Sequence, residues 1–81
     1  MGTHELKFKK GVVWINIDRL RVFSEDEKVY IEGDFIAYFS FKPPDILLGE
    51  LIKDNTGRPY TWPNAKDALN YAKEKFKNLL N

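Results

Sequence analysis

Apolar and polar residues alternate along this chain with two different periods, and the change between them divides it. From Asn64 to Leu80 the apolar positions Ala65, Ala68, Leu69, Ala72, Phe76, Leu79 and Leu80 stand three and four apart. That spacing lines them along one stripe of a 3.6-residue repeat and predicts an amphipathic helix over 64–80. Asn64 is a favoured N-cap residue, and Asp67 three positions on makes a variant of the capping box. Asp67 also sits near the positive end of the helix dipole, with Lys73, Lys75 and Lys77 towards its negative end.

Upstream of Asn64 the period is two. Met1 to Glu5 is expected to be mobile, and Leu6-Lys7-Phe8-Lys9 then alternates apolar with basic. Val12-Val13-Trp14-Ile15-Asn16-Ile17 is rich in branched residues that favour strands. The stretch 6–17 reads as one bent strand with Gly11 at the bend, in preference to a tight hairpin around Lys9-Lys10-Gly11. A corner at Asp18-Arg19 is followed by Leu20 and Val22 pointing one way and Arg19 and Arg21 the other. Ser24-Glu25-Asp26-Glu27-Lys28 is a polar break between two β-prone runs and reads as a hairpin loop. Gly33-Asp34 marks a bulge or a small turn within the next run.

Phe35 to Phe41 is the most apolar run and the expected central strand, with Phe35, Ala37, Phe39 and Phe41 on one face and Ile36, Tyr38 and Ser40 on the other. Pro43 and Pro44 end it, because each removes a backbone donor. Ile46-Leu47-Leu48 reads as strand or a helical turn, and Gly49 to Lys53 as strand. Asp54-Asn55-Thr56-Gly57 supplies a turn, and Arg58 to Trp62 the return strand, which Pro59 places on an edge. The chain therefore reads as a single α+β domain over 1–81: an antiparallel β-sheet of about five strands closed on one face by a single C-terminal amphipathic helix.

Composition narrows the chemistry. With 81 residues the domain is near the small end of what one core holds together. It has no cysteine, so disulfides and thiolate metal sites are excluded, and His4 alone builds no metal site. No apolar run approaches a membrane span of roughly 20 residues, and no secretory pattern opens the sequence. Cytoplasm is the default expectation, with no membrane partner. The net charge of +1 gives no bulk case for binding nucleic acid. Its distribution is uneven: residues 1–21 and 55–81 each carry five basic and two acidic groups, while 22–54 carry three basic and eight acidic.

A catalytic set is missing. Ser24 and Ser40 have only His4 as an imidazole, and nothing in the sequence places it near either. The paired carboxylates are Glu25-Asp26-Glu27, in a polar hairpin loop without the burial that tunes an acid-base pair or the spacing of a calcium loop, and Glu32 with Asp34. The five glycines are scattered and make no phosphate loop. The expectation is a protein that is not an enzyme and has no cofactor.

Two surface features remain. Lys66, Lys73 and Lys77 share one flank of the helix by i, i+7, i+11 spacing, and Lys7, Lys9 and Lys10 join them if the first strand packs nearby. Such a set suits phosphate contacts, and an ordinary solvated face accounts for it more simply. The second is an aromatic surplus: Trp14, Tyr30, Tyr38, Tyr60 and Trp62 are candidate interface residues, because a sheet closed by one helix leaves a second face bare. The leading expectation is a small non-catalytic binding or assembly module using an aromatic-bearing sheet face or edge strand, self-association included. The alternative is an accessory nucleic-acid-binding domain using the basic N-terminal strand and the helix lysines.

The junction Trp62-Pro63-Asn64-Ala65-Lys66-Asp67-Ala68 is similar to the end of the small arm-binding domains of tyrosine recombinases, which show an aromatic, a capping residue, an acid and an alanine there. The likeness covers about a third of the chain and only positions that any hairpin-to-helix junction needs. It implies DNA-reading basic residues on strands, and those have no counterpart in the acidic middle of this sequence.

Overall fold

The computed structural model describes residues 2–43 and 49–81. Four strands, β1 (Gly2–Phe8), β2 (Gly11–Ser24), β3 (Val29–Ser40) and β4 (Glu50–Leu51), form one antiparallel sheet in that order, followed by the helix α1 (Ala65–Leu80). The return segment 58–62 completes the edge through bridges Lys53↔Pro59 and Phe35↔Trp62. The sheet thus has about five strands and one C-terminal helix against it, the α+β arrangement that the two periods predict.

The first difference from the sequence reading is at residues 6–17, which are not one bent strand. Lys9 and Lys10 form a two-residue turn, Gly11 pairs with Phe8, and β1 folds back on β2 as far as Gly2↔Ile17. The helix end holds this turn: the Lys10 N–H donates to the Leu80 carbonyl at 2.8 Å and the Lys9 N–H to Asn81 Oδ1 at 3.3 Å. Gly2 to Glu5, expected to be mobile, therefore lie in β1, and Met1 falls outside the described residues. So does the 44–48 part of the expected bend and of the ambiguous Ile46-Leu47-Leu48 run.

Elsewhere the local signals are matched by geometry. The loop after β2 closes with the Lys28 N–H on the Ser24 carbonyl at 2.8 Å. The corner at Asp18-Arg19 is a register shift inside a continuous strand: Arg19 pairs with Phe35 but Arg21 with Glu32, so Gly33 and Asp34 together oppose Leu20, a bulge with one extra residue in β3. Asn64 caps α1, its Oδ1 accepting the Asp67 N–H at 2.8 Å while its Nδ2 donates to Asp67 Oδ2 at 3.2 Å. A cap of this kind is worth about 1 kcal/mol.

Burial shows which stripe the sheet receives. Val13, Ile15 and Ile17 of β2, Ala37 of β3, Ile52 and Trp62 of the edge, and Ala68, Ala72 and Phe76 of α1 make the core. Phe76 is wedged between rings, 5.2 Å from Phe39 and 5.8 Å from Phe41. The helix stripe is rotated from the predicted one: Ala65 and Leu79 are exposed, and Tyr71 packs on the core instead.

That core occupies only half of the sheet. Among the described side chains, none from 20 to 30 or from 32 to 34 belongs to it. Beyond Ile17 and Phe35 the strands β2 and β3 run on as a two-stranded ribbon, sealed at its root by Arg19. The Arg19 guanidinium lies 5.0 Å over the Phe35 ring, Nε donates to the Gly33 carbonyl at 2.9 Å, and Nη1 pairs with Glu32 at 2.8 Å. The 14 residues of β2, at about 3.3 Å each, reach about 46 Å. That accounts for the 50 Å long axis of the molecule.

Candidate interaction surface

Because side chains alternate across a strand, the register assigns each residue of β2 and β3 to a face. Val13, Ile15 and Ile17 point at the helix, so Val12, Trp14, Asn16 and Asp18 point away from it. Ala37 and Phe39 point at the helix, so Ile36, Tyr38 and Ser40 point away. Leu51 pairs with Tyr38 and joins that second face. Lys7, opposite Val12, lies on it too, while Leu6 and Phe8 pack on the core. Among the described residues no helix or strand lies over this second face, although Ile36 on it is only 6% exposed.

The five aromatic candidates therefore do not form one surface. Tyr60 and Trp62 belong to the helix side: their rings stack at 4.9 Å, and Tyr71 of α1 sits 4.6 Å from Tyr60 and 5.2 Å from Trp62. Trp62 is buried, and Tyr60 packs on the core beside it. Trp14 and Tyr38 stand on the uncovered face, both half-buried, with Asn16 between them across the β2–β3 ladder. Tyr30 is on the ribbon, 70% exposed, and packs edge-on against Phe23 at 5.2 Å. Phe23 and Tyr30 share the helix side of the sheet, while Val22 and Val29 continue the face of Trp14.

Aliphatic residues complete this surface, and sequence reasoning did not single them out. Leu20 and Leu51 are half-exposed, Val22 is 64% and Val29 47% exposed. Their signal is present as alternation in Leu20-Arg21-Val22, but alternation does not tell a covered face from a bare one.

The five lysine candidates, Lys7, Lys9, Lys66, Lys73 and Lys77, are all exposed and are not gathered into one patch. Lys66, Lys73 and Lys77 follow the outer side of α1. Lys9 is in the β1–β2 turn at the C-terminal end of the helix. Lys7 is on the opposite side of the sheet, 3.4 Å from Glu5.

Among the described residues no group of three or more histidine, aspartate or glutamate side chains stands ready to hold a metal, and no helix is long and apolar enough to cross a membrane. Among the described residues, the one titration that the structure moves is that of Asp54, in the exposed turn before the return segment. Its carboxylate accepts Thr56 Oγ1 at 2.7 Å, the Thr56 N–H at 2.8 Å and the Arg58 N–H at 3.1 Å. The Thr56 hydroxyl first, then the backbone donors, hold its pKa below the ordinary aspartate value. A depressed folded-state pKa means that the stabilisation is present above the unfolded-state value and is lost as pH falls through the folded-state one. Carbon-detected NMR titration should give Asp54 a midpoint below that of an unstructured aspartate, and Thr56→Val should raise it. A midpoint unmoved by Thr56→Val would show that the hydroxyl contact is not formed in solution.

In comparisons with known proteins, the chain matches no family model, no curated protein and no solved structure.

Proposed function

We propose that this protein is a non-catalytic binding and assembly module that works through the bare face of its sheet and the ribbon that prolongs it. The observation that carries this reading is the two-sidedness of β2 and β3. One side is closed by α1, and the other presents Trp14, Tyr38 and Leu51, then Val22 and Val29 further out. A two-stranded ribbon is at best marginally stable alone in water, and here both of its sides carry exposed apolar groups. Covering it removes apolar area from water at about 25 cal/mol per Å². The aromatic and aliphatic mixture is that of a protein interface, with Asn16 to hydrogen-bond among the rings.

The test places a photo-crosslinking phenylalanine analogue at position 38 or 22, and at position 70 on the exposed side of α1 as a control. Illumination in expressing cells should give discrete adducts from 38 and 22 and none from 70. Trp14→Asp, with an unchanged circular dichroism spectrum, should abolish them. Adducts spread equally over the three positions would mean that the bare face is not a binding surface.

A further inference from the structure

Resting on that reading, we infer that the occupant of the bare face is a second copy of this chain, laid face to face and antiparallel, the acidic ribbon tip of each copy on the basic end of the other.

Charge placement specifies the partner. The ribbon tip is the loop Glu25–Lys28, whose three carboxylates are all exposed. The opposite end of the long axis carries the β1–β2 turn, with Lys9 and Lys10, and the chain leaving β3, with Lys42; all three are exposed. A parallel pairing would set tip on tip and base on base, which like charges oppose. An antiparallel pairing satisfies both ends at once, and its two-fold axis makes the interface closed and self-complementary.

The area also suits a second copy. β2 at about 46 Å and β3 at about 40 Å, flanked by about 23 Å of β1 and the two residues of β4, give a flat area of about 550 Å² from the usual strand spacing and rise. Specific interfaces at the small end of the standard range bury about 600 Å² per partner. Two sheets packed about 10 Å apart make a sandwich, with Val22 and Val29 of one copy lying against Val12 and Trp14 of the other. Each bare ribbon thus gains the second layer that it lacks among the described residues of one chain.

One residue works against the arrangement. Asp18 lies midway between tip and base on the bare face, so the two Asp18 carboxylates approach one another near the axis. The pairing therefore makes a further demand: Asp18→Asn should tighten the dimer several-fold.

The experiment is sedimentation velocity of the whole chain from micromolar to millimolar concentration, on the wild type and two charge reversals. One reverses the tip (E25K/D26K/E27K) and the other the base (K9E/K10E/K42E). Each alone should weaken dimerisation at least tenfold, and an equimolar mixture of the two should dimerise as well as the wild type, because each tip then meets a base of opposite sign. Restoration on mixing also shows that both variants are folded. Tyr30→Ser, on the other side of the ribbon, should leave the dimer unchanged. A mixture that fails to dimerise overturns the antiparallel pairing. A monomer at every concentration overturns the second copy as occupant, while adducts from position 38 to a different protein would keep the binding-face reading. A dimer that survives both Trp14→Asp and Val22→Asp overturns both.

Discussion

Replacing Phe76 by alanine is expected to remove about 3–5 kcal/mol of stability. A domain of this length has roughly 4–12 kcal/mol in total, so the variant should be partly unfolded at room temperature. The size of the effect comes from position. Phe76 is the bulkiest of the fully buried side chains, 1% exposed, and it is where the last turns of α1 meet the rings of Phe39 and Phe41. Alanine would leave a cavity against β2 and β3, whose backbones are laddered and collapse little. Urea denaturation followed by tryptophan emission measures the loss, with Leu79→Ala as the control. Leu79 is 59% exposed and should cost no more than about 0.5 kcal/mol. Equal losses at the two positions would mean that the helix is docked with a different stripe.

Gly49→Ala is the second severe change, expected to cost about 2–5 kcal/mol from two separate sources. Gly49 has a φ of +96°, where a side chain is strained whatever the space around it. A Cβ there would also stand against the Phe39 carbonyl oxygen, 2.8 Å from the carbonyl carbon and 3.1 Å from the Ser40 Cβ. Two of these three neighbours belong to the β3 backbone, so relief requires moving the strand that β4 pairs with through Phe39↔Glu50. Gly57 separates the two sources: its φ is +86° but a Cβ would meet open space. Gly57→Ala should therefore cost only the backbone term, about 1–2 kcal/mol. Thermal unfolding of both variants gives the comparison, and a Gly49→Ala loss no larger than that of Gly57→Ala would mean that the close approach is relaxed in solution.

These two effects differ in how visible they are without coordinates. Phe76 stands in a 3.6-residue stripe and announces its burial, whereas nothing around Gly49 distinguishes it from Gly11, which meets no atom at all. The same divide separates the features of the candidate surface. That Trp14 and Tyr38 fall on faces opposite to Val13 and Ala37 follows from strand alternation alone. Which of those faces is bare does not, because both faces of β2 and β3 carry apolar residues.

Interactions between near neighbours in sequence were thus readable from residue types: the Asn64–Asp67 cap, the Ser24–Lys28 loop and the edge position of Pro59, while the break at Gly33-Asp34 was legible but its being a bulge and not a turn was not. Each is decided within a few residues by donors, acceptors and φ, so the sequence that encodes it is all that is needed. The placement of α1 was decided only in three dimensions. Its end binds the Lys9-Lys10 turn and so makes a hairpin where a bent strand was expected. It draws Tyr71 inward, encloses Trp62 beside Tyr60, and stops short of the ribbon. A single helix of 16 residues, about 24 Å long, cannot cover strands that reach about 46 Å. The surface that is left over is set by that difference in length, which no local pattern records.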